Sequence, residues 1–409
     1  MAEVTNYIDR LVAELCPDGV EYRPLGELLG YEQPTKYLVS SKDYDDSYPT
    51  PVLTAGKTFI LGYTNETEGI YPASKEEPVI IFDDFTTAFK WVEFPFKAKS
   101  SAMKMLTLKS GNNSLFKYVY YAMQCIVYNS SDHARQWISK YSNIEVPGPR
   151  LEIQEAIVEI LDKFTNLEAE LEAELEARTL QYEYYRGSLF GTLKDPATGL
   201  PAIAGLVKTL CPDGVEYRSL KDVVAKNYGG GTPSKSKAEY WEGNIPWASV
   251  GDLSDDVLEV TDTRSKITEE GVKGSSTNIV PAGAVIVAIK INPGRMKIAG
   301  MNLAINQDIR GLVLNDSMNA RFLTYYFRTL MFAGHGTIVK SITNKHLMET
   351  KIPVPPMEIQ QRIVDILDRF DALTSSLSEG LPAELAARRS QYEYYRDQLL
   401  TFPRKGENQ

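Results

Sequence analysis

Apolar residues between Glu152 and Phe190 recur in steps of four and three: Ile153, Ile157, Ile160, Phe164, Leu167 and Leu171. Another step of four reaches Leu175, a stutter, and Tyr182, Tyr185 and Leu189 resume the stripe. The segment has no Pro and no Gly before Gly187, and Leu, Ala, Glu and Gln, all good helix formers, dominate it. The period predicts one helix of roughly 55 to 60 Å, pressed along a seam against one partner helix rather than buried all round.

A partner of similar length lies at Glu358 to Leu400. EIQEAIVEILDKF at 152–164 matches EIQQRIVDILDRF at 358–370, QYEYYR recurs at 181–186 and 391–396, and LCPDGVEYR stands at both 15–23 and 210–218. The offsets are 195, 206 and 210 residues, so the second body is eleven residues longer and the second helix four. The chain is a tandem repeat of two large units rather than a many-copy solenoid. Glu379-Gly-Leu-Pro occupies the extra four residues, so the second helix should kink or restart near Pro382.

Between these landmarks the pattern switches to short strands. Thr5 to Leu15 and Ala202 to Leu210 read as amphipathic helices, each followed by a Cys-Pro-Asp-Gly turn and a first strand, Val-Glu-Tyr-Arg. Pro78-Val-Ile-Ile-Phe reads as a buried strand, Met103 to Leu108 as an alternating one, and Leu115 to Tyr128 as a helix. The second body offers strands within Val280 to Ile289 and a helix near Ala320 to Met331, and proline-rich loops at 144–150 and 351–356 lead into the long helices. Gly187 to Pro201 reads as a turn-rich linker.

Composition is that of an ordinary soluble globular protein, 43% hydrophobic and 24% charged. No run of 18 apolar residues and no basic-then-apolar start occurs, which predicts neither a membrane span nor secretion. Cys16, Cys125 and Cys211 are few and odd in number, favouring packing in a reducing cytoplasm over disulfides or metal. The net charge of −10 speaks at first against nucleic acid, but residues 151–190 hold ten acids and three bases, and 356–409 nine and seven. The remaining 315 residues sum to about −1, with basic runs at 94–109 and 286–310. An acidic stalk with locally basic heads is compatible with DNA, where the local footprint decides.

Catalytic patterns are absent. Ala55-Gly-Lys-Thr ends like a phosphate loop, but Pro51 stands where the earlier glycine is required. His133, His335 and His346 lack metal-ligand spacing. Gly229 to Ser234, GGGTPS, followed by Lys235 and Lys237, reads as a loop whose backbone could approach a ligand closely; a plain Gly-rich turn is the alternative. The residues alone leave open a coiled-coil scaffold with two protein-binding heads, and a self-contained nuclease, which would need an acid cluster the sequence does not offer.

The repeated LCPDGVEYR, GGTPS at 230–234 with Ile245-Pro-Trp, Asn306-Gln307, IPVPPMEIQQRIVDILDRFD at 352–371 and the QYEYYR pair together resemble the specificity subunit of type I restriction-modification enzymes. The resemblance covers essentially the whole chain. It implies an α+β architecture: two mixed, strand-rich α/β target-recognition heads at 1–150 and 210–356, and long spacer helices at 151–190 and 357–409, with a linker at 191–209. The helices would form an antiparallel coiled coil with pseudo-twofold symmetry.

It further implies that each head reads one half of a bipartite, asymmetric double-stranded DNA site. Partners would be two methyltransferase subunits and restriction/translocase subunits, which would use S-adenosylmethionine, ATP and Mg; the chain itself would bind no cofactor and catalyse nothing. DNA contacts are expected from Lys36, Lys57, Lys90, Lys97, Lys99 and Lys104 in the first head. In the second they are expected from Gly230, Gly231, Thr232, Pro233, Ser234, Lys235, Lys237, Lys290, Arg295, Lys297, Lys340 and Lys345. Tyr182, Tyr185, Tyr392 and Tyr395 should pack between the helices, leaving Tyr184, Arg186, Tyr394 and Arg396 for the methyltransferase. The first head departs from the second, with Gly30 to Tyr37 where GGTPS would stand, so residue roles do not transfer between heads.

Overall fold

The computed structural model describes residues 2–56, 58–128, 134–255, 257–332, 340–374 and 380–406. The chain divides into two units, Met1–Ala169 with Ala387–Gln409, and Glu170–Ala386.

The first unit is built on an antiparallel sheet in the order Leu29–Glu32, Met103–Leu108, Val79–Asp83, Phe89–Val92. Alternation along the third of these strands serves two cores. Ile80 and Phe82 join Trp137, Tyr141 and the helix Phe116–Gln124, whereas Val79 and Ile81 join Leu53, Phe96 and Met105 beneath a three-stranded sheet. A strand covered on both faces must be apolar throughout, as this one is. Met103–Leu108 does not alternate as expected: Met103, Lys104, Met105 and Leu106 are all buried, because Lys104 is neutralised inside by Asp84.

The second unit repeats the plan with a five-stranded sheet, Val224–Gly229, Ile309–Leu314, Val285–Ala288, Met296–Ala299 and Glu259–Val260. Val285 and Val287 face the core shared with the helices; Ile286 and Ala288 face a second, sheet-to-sheet core. A four-stranded sheet containing Trp241–Ala248 covers that side.

Each LCPDG turn feeds a short strand that pairs with the exit loop before a long helix. Tyr22–Pro24 pairs with Glu145–Pro147, and Tyr217–Ser219 with Lys351–Pro353. The first long helix is Leu151–Lys194, 44 residues, which at 1.5 Å per residue is about 66 Å. It runs past the expected end and through the start of the expected linker, and the helix Pro201–Leu210 follows. Its ends are anchored by Ile153, Ile157, Leu161, Tyr182, Leu189 and Phe190, all buried, while no side chain from Thr165 to Gln181 is buried.

The second long segment is two helices, Met357–Thr374 and Gly380–Leu399. Gly380 has φ +81°, and Pro382 falls in the first turn of the restarted helix, where a missing N–H costs nothing.

Candidate nucleic-acid interface

In the second unit the glycine-rich loop is held by its own strands. The Gly231 N–H donates to the Ile305 carbonyl (2.9 Å), Trp247 Nε1 donates to the Gly231 carbonyl (3.1 Å), and Asn278 Nδ2 to that of Gly229 (2.8 Å). A Cβ on Gly230 would overlap the Asn306 carbonyl oxygen, and one on Gly231 would overlap Ser276 and Thr277. Internal backbone approach by itself requires glycine at Gly230 and Gly231. Pro233 is buried, whereas Thr232 and Ser234 point outward with Lys235 and Lys237.

A polar chain ties this loop to its neighbour. The Thr232 hydroxyl donates to Gln307 Oε1, Gln307 Nε2 donates to Asp308 Oδ2 (3.2 Å), and Asp308 Oδ1 lies 2.7 Å from Lys290 Nζ. Next to it Arg310 Nε donates to Asn227 Oδ1 (3.0 Å), and burial pulls the Arg310 guanidinium pKa down. Gln307 and Arg310 were not singled out as site residues from sequence; the Asn306-Gln307 pair was the available signal.

The expected DNA-contacting cations separate by burial. Lys104 is 1% exposed, 3.0 Å from Asp84 at an angle outside hydrogen-bond geometry, and lies 4.6 Å from the Tyr31 ring centre. Lys97 is buried against Glu66 at 2.7 Å and donates to the Glu68 carbonyl at 2.7 Å. Lys297 is buried on Asp255, whose pKa burial pushes up but the ammonium partner pulls down further. These three cations are buried on carboxylates and support the heads from inside, unlike the exposed lysines.

The others lie at the surface. Lys90 and Lys235 are exposed; Lys36 pairs with Glu32 (2.7 Å), Lys99 donates to the Tyr44 hydroxyl (2.8 Å), Lys237 donates to the Tyr240 hydroxyl (3.0 Å), and Lys345 lies 3.9 Å from Glu349. Arg295 donates to the Ser254 and Asp255 carbonyls (to the latter at 2.7 Å), and Lys340 is exposed beside it in a cleft that also receives Arg186. Lys57, His133 and His335 lie outside the described residues.

The seam tyrosines pack between the long helices. In the first unit Phe164 meets Tyr392 (6.4 Å) and Tyr395 (5.8 Å), and Arg389 pairs with Glu168 at 2.6 Å, an antiparallel register. In the second Phe370 meets Tyr182 (6.3 Å) and Tyr185 (5.2 Å). Off the seam, Tyr184 and Tyr394 are 66% and 59% exposed. Arg186 lies over Tyr182, and Arg396 over Tyr392 with its guanidinium on Asp397 (2.7 Å), so both arginines cover seam tyrosines.

The joints between head and helix are duplicated in their hydrogen bonds. Gln154 accepts from the Leu115 N–H (2.9 Å) and donates to the Pro149 carbonyl (2.7 Å); Gln360 does the same with Asn319 (2.8 Å) and Pro355 (2.8 Å). Tyr121 donates to Asp162, and Tyr325 to Asp368 at 2.6 Å; burial first raises both phenol pKa values, followed by Asp162 for Tyr121 and by Asp371 and then Asp368 for Tyr325. Among the described residues no cluster of His, Cys, Asp and Glu could hold a metal, and no helix is long and apolar enough to cross a membrane.

Such a duplicated frame carrying two dissimilar heads has known counterparts. The chain is 46% identical over 423 residues to the type I restriction enzyme EcoR124I/EcoR124II specificity subunit of Escherichia coli, covering 98% of each. Its fold is similar to the crystal structure of a type I restriction-modification S subunit from M. genitalium, with TM-score 0.54 and 14% identity over 93% of this chain and 96% of that one. A chain solved for the structural basis of complex assembly and conformational transition of a type I R-M system superposes equally, with TM-score 0.54 and 18% identity over 93% and 97%. The family profile described as type I restriction modification DNA specificity domain matches residues 17–177 and again 212–387, and the chain belongs to that family as a non-catalytic DNA specificity subunit.

Proposed function

We propose that each unit reads one half of a bipartite, asymmetric DNA site, while the long helices set the distance between half-sites and dock two methyltransferase subunits. Restriction/translocase subunits would join that core. Adenine methylation and strand cleavage, with their S-adenosylmethionine, ATP and Mg, then belong to the partners, and the chain works in the cytoplasm with host DNA. It contributes affinity, address and geometry.

The observation that carries this reading is duplication of the frame without duplication of the reading surface. The Gln154/Gln360 and Tyr121/Tyr325 joints repeat bond for bond, but Gly30 to Tyr37 replaces the loop that Gly229 to Ser234 forms in the second unit. Identical mounts with different faces suit a reader of two different half-sites. Lys90, Lys235, Lys237, Lys290 and Lys340 are the cations best placed for phosphates, and Thr232, Ser234 and Gln307 the polar groups best placed beside them.

Methylation-aware sequencing of host DNA tests this directly. The expected result is one split motif with unlike halves, lost when the chain is deleted. The same motif modified by the methyltransferase without this chain would overturn the reading.

A further inference from the structure

Two hairpins at matching places in the two central sheets share a construction that folding alone does not account for. In the first unit Val79–Asp83 turns into Phe89–Val92; in the second Val285–Ala288 turns into Met296–Ala299. Both tips are tied down by their backbones. Asp83 Oδ1 accepts the N–H groups of Phe85 (3.0 Å) and Thr86 (2.8 Å), and the Thr87 N–H donates to the Asp83 carbonyl (2.9 Å). Asp84, fully buried, holds the Trp137 N–H (2.8 Å) and Lys104. In the second tip the Ile291 N–H donates to the Lys340 carbonyl (2.9 Å) and the Asn292 N–H to that of Lys290 (2.9 Å).

Each tip holds a β-branched residue in the left-handed region, Thr87 at φ +57° and Ile291 at φ +70°. This is a genuine outlier for such side chains, and it persists only where surroundings over-determine it. Each tip also points a large apolar side chain into solvent: Phe85 is 41% exposed and Ile291 54%. A constrained tip that leaves about half of its apolar group in water in the free chain has surface left for contact with something else. Charged groups of both signs flank them. Arg135 is exposed beside Gln136, whose N–H donates to the Asp84 carbonyl (2.8 Å), with the Asp83 carboxylate at the base of the turn; Lys340 and Lys290, the latter paired with Asp308 at 2.7 Å, flank Ile291. An apolar point with an exposed cation on its flank, Arg135 in one tip and Lys340 in the other, suits stacked bases between phosphates.

We propose that Phe85 and Ile291 are wedges, each entering a base step of its half-site and unstacking it. This rests on the reading that each unit engages one half-site. It supplies that reading with a mechanical role, because a methyltransferase must take its target base out of the stack, and a step already opened lowers that cost. Rigidity is the useful property here: a flexible tip would be displaced by the stack it has to open.

The test uses the complete complex of the chain with its methyltransferase and duplexes bearing 2-aminopurine scanned through both half-sites. Wild type should show a fluorescence rise at one step in each half. Phe85→Ala should abolish the rise in one half only and slow methylation there by about tenfold or more, Ile291→Ala should do so in the other, and Phe85→Leu should restore the first. Unchanged fluorescence and methylation in both alanine variants would overturn the proposal. So would loss of methyltransferase assembly in sedimentation, which would make the tips protein contacts. Both variants acting on the same half would leave the wedge standing and sink the one-unit-per-half reading. If Phe85→Ala proves poorly folded, the Leu variant, which keeps apolar bulk, must still give the fluorescence rise.

Discussion

Phe164 stacks on Tyr395 with ring centres 5.8 Å apart and planes at 25°, and the repeat makes the same contact between Phe370 and Tyr185 at 5.2 Å and 28°. Each pair joins a phenylalanine near the start of one long segment to a tyrosine near the end of the other. Between them no side chain of the first helix from Thr165 to Gln181 is fully buried, although Leu171 and Leu175 are half-buried and Glu168 pairs with Arg389. Each unit thus has one aromatic clasp between its long helices.

Removing a clasp should cost more than removing any leucine between them. Phe164→Ala or Phe370→Ala is expected to destabilise by about 2–4 kcal/mol, set against about 1 kcal/mol or less for the exposed Leu167. Denaturant unfolding measures this; equal costs for Phe164 and Leu167 would show a uniform seam instead.

The exposed tyrosines should behave in the opposite way. Tyr184→Ala removes an edge contact with Tyr185, and Tyr394→Ala one with Tyr395 and an exposed hydrogen bond from Gln398 Nε2 (2.8 Å), so stability should stay within about 0.5 kcal/mol of wild type. Binding of the methyltransferase should weaken by about 1–2 kcal/mol per tyrosine. Titration calorimetry checks both; a fall in melting temperature with normal assembly reverses the assignment.

Burial divides the lysines into two experimental classes. Lys104→Met leaves the Asp84 carboxylate buried without its cation, an expected loss of about 3–5 kcal/mol in the first unit. Lys90→Ala or Lys235→Ala should leave stability alone and lower the salt slope of DNA binding by about one each. A salt slope that ignores Lys90, Lys235, Lys237 and Lys290 alike would place the DNA face elsewhere.

Much of the frame was legible in sequence because it is local and repeated. Heptad-like spacing disclosed the long helix, and the doubled LCPDGVEYR and QYEYYR disclosed two units. The fate of Lys97, Lys104 and Lys297 was not legible, since their partners Glu66, Asp84 and Asp255 come from other strands and loops that only folding brings near. The packing reason for GGG was not legible for the same reason: the Asn306 carbonyl that excludes a Cβ at Gly230 lies far away in sequence. Positive φ at Thr87 and Ile291 has no sequence signal at all, because nothing in a β-branched residue foretells it.

Acid should loosen one loop region of the first unit only below the ordinary carboxylate range. Burial raises the Glu66 pKa, but Lys97 and the N–H groups of Ser41 and Ser40, each at 2.9 Å, outweigh it and leave the carboxyl below its ordinary value. A folded pKa below the unfolded one means the stabilisation is complete above about pH 4.3 and is lost as pH falls through the lower folded value. Glu66→Gln should be less stable at neutral pH and show a flatter acid limb; identical limbs in wild type and variant would remove Glu66 from the account.

The bare middle of the long helix makes a sharper test of the distance-setting role. Leu167-Glu-Ala-Glu, Leu171-Glu-Ala-Glu and Leu175-Glu-Ala-Arg form a tetrapeptide repeat, and it falls within the stretch where no side chain is buried. Four residues add about 6 Å of helix and slightly more than one turn, so an extra copy nearly keeps the apolar face in register. Neither aromatic clasp lies inside the insertion point, and neither joint is touched. Along B-DNA, at about 3.4 Å per base pair, 6 Å is just under two base pairs. A chain with one additional Leu-Glu-Ala-Glu after Glu174 should therefore methylate a motif with both halves unchanged and one or two more unspecified positions between them. Sequencing of modified DNA reads the result. Altered half-site sequences, or an unchanged spacer at full activity, would show that the helix does not set the distance.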